Sequence, residues 1–502
     1  MPSTNDKNSF LYVDGKIHYG LETPSVTQST YTGKTTHYDV IVIGAGFAGL
    51  CAARDISRSG KSVLLIEARD RIGGRTYTSP RHGHNLEMGG TWVHWLQPHV
   101  FHEIHQYGLQ GQLKRSIGTA PPNCSPAGPE MIYFPHNGNV EKINSGEYGE
   151  KMNAAMKAFC DVDGDGGRLL FEFPYSASPN DSPELKRLDG MSIADRIAEL
   201  RGKISDEEID IMAGFFASIG CCSLDKISAF DAFKWWSLPG HDVTALMAAV
   251  CYFKLKCGTT KLAQSILSEF RGDTLFSAPV SNIQQSGQLV TVTTRTGVKV
   301  TAAYVVSCVP LNVLHSISFS PPLSNEKFQA SQLGHSNKAA KIHMYTKTHI
   351  PAMFTMTIPP SPILFGFSET DLPTSQGGGS FTVYFTQSEL FTTSSAESIV
   401  QGFKNEMQSS SIVPEKLTPD ELICHNWTQD EFARGLWCAY PPGFGDKYFE
   451  ALQKPEGRVY FASADWADGW RGFIDGAIEQ GCKIARSVAK NFQEVGYIVS
   501  AN

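Results

Sequence analysis

The chain is predicted to be an α/β protein in which a parallel-sheet domain is interrupted by a second, α+β region, on three observations. YDVIVIGAG, residues 38–46, is an almost unbroken apolar run ending in glycines, the pattern of a strand buried on both faces that enters a tight turn. Residues 47–60 then carry apolar side chains at helical spacing, and SVLLIE, residues 62–67, is a second buried strand, so the run is a βαβ unit. Strand signals return from about residue 253 and again near the end, so the sheet domain is assembled from separated pieces.

Residues 1–37 are rich in Ser, Thr, Lys and His without a sustained period and read as an N-terminal arm, loose or laid across the surface. Residues 38–114 are the first piece of the sheet domain, and 115–252, which mix loops with helical stretches such as MSIADRIAELRG, the first piece of the inserted one. In 253–322, QLVTVTTRTGVKVTAAYVVSCVP alternates through Val290 and Val292, turns at Thr296-Gly297 and ends in an apolar run, a hairpin feeding a core strand. Residues 323–424 are again mixed sheet and helix. The last piece, 425–495, contains RVYFASADW and GFIDGAIEQGCKIARSVAKNF, which read as strand, glycine-bearing loop and amphipathic helix.

Bulk properties narrow the function classes. A 502-residue chain exceeds one hydrophobic core, and 41% hydrophobic with 19% charged residues marks a folded protein. A net charge of -7 with no Lys/Arg run disfavours nucleic acid. Eleven cysteines without CxxC pairs, no signal-like opening and no long apolar stretch point to a reducing, cytoplasmic setting without a transmembrane anchor. The end, Val499-Ser500-Ala501-Asn502, is not an SKL-type peroxisomal address.

The chemistry begins at Gly44-x-Gly46-x-x-Gly49, which follows a predicted strand and opens a predicted helix, with Glu67 closing the next strand 18 residues after Gly49. Gly44 permits the turn, Gly46 lets backbone N–H groups approach a pyrophosphate, and Gly49 lets helix and strand pack. The helix N-terminus attracts the phosphates and Glu67 accepts from a ribose. Arg71-Ile-Gly73-Gly74-Arg75-Thr76 then offers open backbone and two fixed cations for a diphosphate.

GAGFAGL with EARDRIGGRT resembles the flavin-containing amine oxidase (monoamine oxidase) family, whose members hold FAD through these segments, and the likeness is nearest to soluble fungal monoamine oxidases. The resemblance implies an FAD-binding Rossmann-like fold of the GR2, p-hydroxybenzoate-hydroxylase-like type with an inserted α+β substrate-binding domain. It adds Ala68, Arg69, Gly74 and Arg75 to the cofactor residues, with the flavin-side loop at Gly89, Gly90, Thr91 and Trp92, the adenine edge at Val280, Trp427 near the flavin, and Asp465 and Ile474 in the closing segment. It also implies an aromatic cage of Trp437 and Phe473, and Lys341, with Lys338 as competitor, as the lysine holding a water at flavin N5. In the animal enzymes a cysteine just before the second cage aromatic bonds the flavin. Here that place is Leu436 and Cys438 falls one residue after the aromatic, so FAD is expected to be held non-covalently, with Cys438 pointing the other way along a strand.

The implied reaction is FAD-dependent oxidation of a small-molecule amine to an imine by hydride transfer to flavin N5. O2 is reduced to H2O2, and the imine is hydrolysed to aldehyde or ketone plus ammonia or amine. No metal is expected, and family habit suggests a homodimer. A flavin oxidase for an alkaloid-type biosynthetic amine shares every motif. An L-amino-acid oxidase would need an arginine for the carboxylate, with Arg81 and Arg434 available, and a polyamine oxidase would need acidic residues, against aromatic-rich WWSLPG.

Overall fold

The computed structural model describes the chain except residues 122–127, 372–377, 388–390, 392–393, 410–411, 413–415 and 501–502, and the side chains of 371 and 494–500. Part of the terminal tetrapeptide read above thus lies outside the described residues.

The βαβ start folds as its pattern requires. Val40, Ile41 and Val42 in the strand His37–Ile43 have no exposure, because both faces of a parallel sheet are covered. This strand pairs in parallel with Val63–Ile66 on one side and Lys299–Ser307 on the other. Asp273–Leu275 and Val459–Phe461 join them in parallel within an eight-stranded sheet. Antiparallel Val280–Ser286 and Leu289–Thr294 extend one edge, and Val290 and Val292 are buried as their alternation predicts. The turn falls at Thr296-Gly297, with Gly297 at φ +86°. Helices Phe47–Arg58 and Ile474–Ser500 pack closely on each other: a Cβ added to Gly481 would stand 2.3 Å from the Ala48 carbonyl oxygen.

A nine-stranded sheet forms the second layer system, with Ala340–Thr346 and Ser380–Thr386 buried along their length near its centre. Period-2 alternation sends Phe385 into one core with Phe215 and Phe365, and its neighbour Tyr384 into another with Ile399 and Phe403. Among the helices on the first side, Asp206–Gly220 opens on a capping box of Ser205 and Glu208 and ends at Cys221 in the left-handed conformation. Cys221 and Cys222 are both buried core residues, as adjacent thiols usually are. No helix among the described residues is long and apolar enough to cross a membrane.

The N-terminal arm differs from expectation. Ser9–Val13 and Lys16–Tyr19 form a hairpin that continues the nine-stranded sheet beside Glu421–Asn426. Asp14-Gly15, both at positive φ, is a short-range hairpin signal. Phe10 is buried against the sheet and Thr4 donates to Asp70, so these residues are integral to the structure.

Candidate active site

The glycine loop at the end of the first strand is built for close backbone approach. Gly44 sits at φ +103°, and a Cβ on Gly49 would stand 1.8 Å from the Gly44 carbonyl oxygen. Gly46 and Gly73 form an isolated bridge, and an added Cβ on Gly46 would have the Gly74 Cα as its nearest neighbour, at 3.8 Å. Two side-chain-free loops therefore face one another. Glu67 is locked beside them, accepting from the Ala45 N–H at 2.6 Å and the Arg69 N–H at 2.9 Å. Arg69 in turn donates to both oxygens of Asp430 at 2.6 Å. Gly49→Ala is expected to displace the Gly44 turn and abolish flavin retention, read as loss of 450 nm absorbance relative to 280 nm after desalting.

A continuous cavity of about 270 Å³ runs from these loops into the second layer system. Gly44, Gly46, Glu67, Ala68, Arg69, Gly74, Arg75, Gly89, Gly90, Thr91, Trp92, Val280, Trp427, Trp437, Phe473 and Ile474 all lie on its wall. Gly49, Lys341 and Asp465 lie just behind it. Asp465 is buried, pairs with Arg75 at 2.7 Å and accepts from the Leu311 N–H at 2.8 Å, so it orients the arginine. Arg71 departs from the expected pair of cations: it is fully buried off the cavity, 4.0 Å over the Tyr77 ring, and donates to the Gly74 carbonyl. It braces the loop, leaving Arg75 as the cation of that pair on the wall.

The next segment is equally constrained. A Cβ on Gly89 would meet the Arg75 carbonyl oxygen at 1.9 Å, and one on Gly90 the Thr76 methyl at 2.6 Å. Trp427 donates from Nε1 to the Met88 carbonyl at 2.8 Å. Lys341 donates from Nζ to the Gly89 carbonyl at 2.9 Å and to Thr91 Oγ1 at 2.7 Å, and lies 5.2 Å from the Phe385 ring centroid. Burial lowers its pKa to about 8, against the pull of Glu369 and Glu87. The competing Lys338 is exposed.

Residues 434–440 are irregular rather than a strand, so strand alternation is not what orients Trp437. Gly472, at φ +82°, is pressed onto the Cys438 backbone, where an added Cβ would be 2.6 Å from the carbonyl oxygen. That contact brings Trp437 and Phe473, each one residue from it, to the same cavity. Trp437 is fixed by its Nε1 donation to the Ile219 carbonyl at 2.5 Å and by edge contact with Phe385 at 5.6 Å. Phe473 stands edge-on to Trp470 at 5.3 Å. Leu436 lines the cavity, whereas Cys438 is packed in the core with Tyr440 and Trp466, where burial pushes its thiol pKa well up.

The far half of the cavity escaped the sequence reading. Phe215, Ser218 and Ile219 come from one helix, Met247, Val250 and Cys251 from a segment that includes a π turn at Ala248–Tyr252, and Phe354, Phe365 and Phe385 from the large sheet. The apolar character of most of them marks them as inward-facing but says nothing of which void they face. Trp235 and Trp236 of WWSLPG, by contrast, are helix core residues off the wall. The charged wall residues, Glu67, Arg69, Arg75, Arg295 and Glu431, lie on the glycine-loop side.

A glycine-walled cleft at the ends of parallel strands, opening into an aromatic chamber, defines a dinucleotide-dependent oxidoreductase. Residues 47–489 match the flavin containing amine oxidoreductase family, and the chain belongs to it; it is an FAD-dependent amine oxidoreductase. It is 30% identical to pseudooxynicotine dehydrogenase of Pseudomonas sp. over 90% of this chain and 86% of that one. It is 26% identical to flavin-containing amine oxidase A of Equus caballus, over 90% and 85%. Its fold matches cyclohexylamine oxidase from Brevibacterium oxydans with a TM-score of 0.71 at 21% identity, covering 91% of this chain and 99% of that one. The cleft fits FAD: its glycines leave no room for side chains, Glu67 is oriented at the strand end and Arg75 is fixed on the wall.

Proposed function

We propose that the protein oxidises apolar monoamines with O2 as electron acceptor, holding FAD without a covalent bond. The observation carrying this is the chamber beside Trp437 and Phe473, whose wall has no charged side chain among the described residues. Residues 38–114, 253–322 and 425–495 would hold the cofactor, and 115–252 with 323–424 would enclose the substrate. When bound, FAD supplies a hydride acceptor for the amine α-carbon and passes both electrons to oxygen, giving hydrogen peroxide.

The chain supplies position and medium. An ammonium entering the chamber would exchange its water for aromatic faces, with no carboxylate among the described residues of that half of the wall, so the neutral amine is favoured. Trp437 and Phe473 flank its nitrogen and exclude water. Lys341 Nζ holds a proton beside the Gly89–Trp92 loop, with a pKa about 8 that suits exchange near neutrality. The imine product is hydrolysed to aldehyde or ketone. Among the described residues of the chamber an α-amino acid would find no cation for its carboxylate, because Arg81 pairs with Glu421 and Arg434 is exposed, both off the wall. A second amine of a polyamine would likewise meet no carboxylate among the described residues of the chamber. An alkaloid-type amine is the second reading, favoured by the relative named for pseudooxynicotine.

Aerobic peroxide formation tests the proposal. Benzylamine or n-butylamine should give one peroxide per amine consumed, and putrescine or an L-amino acid none; amine oxidation that requires an added acceptor would contradict it. Acid-denatured protein should release all its flavin, because Leu436 stands where the anchoring thiol would be. A flavin-bearing peptide in the mass spectrum would refute non-covalent binding.

A further inference from the structure

Away from the cavity, two thiols meet where two helices of the sheet domain pack together. Cys51 lies in Phe47–Arg58 and Cys482 in Ile474–Ser500; their sulfurs and a Glu103 carboxylate oxygen lie within 4.8 Å of one another. Ala48 and Gly481 let the two backbones approach until the Ala48 carbonyl oxygen is 2.3 Å from an ideal Gly481 Cβ. A disulfide needs Cβ atoms about 3.5–4.5 Å apart, which a close approach of the two backbones favours. Cys51 is fully buried, whereas Cys482 is only half-buried, so Cys482 is the residue of the pair nearer to solvent. Hydrogen bonding to Cys482, and then burial, push the Cys51 thiol pKa well up, which makes Cys51 the protonated, resolving partner.

A metal is a poorer reading of the same three groups. Both Glu103 oxygens are taken by the Arg54 guanidinium, at 2.5 and 2.8 Å, which sets a fixed cation where a metal ion would need its third ligand.

We propose that Cys51 and Cys482 are a modification site, a reversible intramolecular disulfide formed by hydrogen peroxide. The Cys482 thiolate attacks the peroxide, breaking its O–O bond and leaving a sulfenic acid and hydroxide. Cys51 then displaces that oxygen as water, with the departing proton its own. Two thiols are oxidised and one peroxide is reduced to two waters. The peroxide source rests on the oxygen-linked reading above. The bond would staple the helix that opens at the glycine loop to the helix that opens at Ile474, two ends of one cleft.

The experiment uses reduced, desalted holoenzyme, treated first with reagent peroxide and separately with amine in air, with and without catalase. The expected result is a 2 Da mass loss, two fewer titratable thiols, and a non-reduced peptide joining the segments around Cys51 and Cys482. The thermal midpoint should rise by several degrees and flavin release should slow, both reversed by dithiothreitol and absent in Cys51→Ala and Cys482→Ser. Peroxide-treated protein that keeps both thiols, links other cysteines, or only gains oxygen at Cys482 would overturn the proposal, whatever the fate of the variants. Linkage by reagent peroxide but not by amine would support the dithiol while counting against oxygen as acceptor.

Discussion

Lys341→Met should lower amine turnover roughly 10²-fold, the scale of removing one positioned polar group from an active site, while the flavin absorbance of the purified protein stays unchanged. The lysine touches the Gly89 carbonyl and Thr91 hydroxyl of the flavin-side loop rather than the Gly44–Gly49 and Gly73–Gly74 loops, so the grip on the diphosphate should survive while catalysis is lost in this variant. Stopped-flow flavin reduction and reoxidation would locate the slowed step. A second readout does not depend on turnover. Because the folded-state pKa is lowered from 10.5 to about 8, the unfolded chain binds more protons between those values. The lysine's burial penalty is therefore full below about pH 8 and fades as pH rises toward 10.5. Wild-type stability should gain on the variant across that window, and parallel stability curves would show that Lys341 is not desolvated.

Trp437→Gly should shift selectivity toward bulkier amines by at least roughly tenfold in the ratio of kcat/KM values, about 1.4 kcal/mol of differential transition-state binding. The indole is anchored through Ile219 and lies against Phe385, so removal opens space bounded by groups that have their own support. Phe385 stacks on Phe365 at 4.4 Å, nearly parallel, and should hold the far wall in place. Loss of activity on small amines without gain on large ones would mean that the chamber collapses; unchanged selectivity would remove Trp437 from the substrate path.

The parts legible in the sequence are those encoded locally. Residues 38–67 announce strand, turn, helix and strand within one window, and the glycine spacing states where backbone must approach a ligand. The flavin-side residues and cage aromatics could be nominated only through the family resemblance, because Lys341, Trp437 and Phe473 become neighbours of one cavity through contacts such as Gly472 on Cys438. Arg71 was indistinguishable from Arg75 in the sequence, although one braces the loop beneath and the other faces the cleft. The N-terminal hairpin hid behind a polar composition, yet its Asp14-Gly15 turn and the apolar Phe10 carried the signal. The substrate chamber was least legible: Phe215, Val250 and Phe365 come from a helix, a π turn and a strand, and no short window contains their convergence.

Presentation of neutral monoamines to bound FAD by an aromatic chamber with no charged side chain among the described residues is tested most directly by anaerobic mixing with amines while the 450 nm band is followed. Benzylamine or n-butylamine should bleach the band completely, faster as pH rises toward the amine pKa, with putrescine and L-amino acids leaving it intact. Bleaching by an amino acid or diamine in preference to the simple monoamines would contradict that presentation.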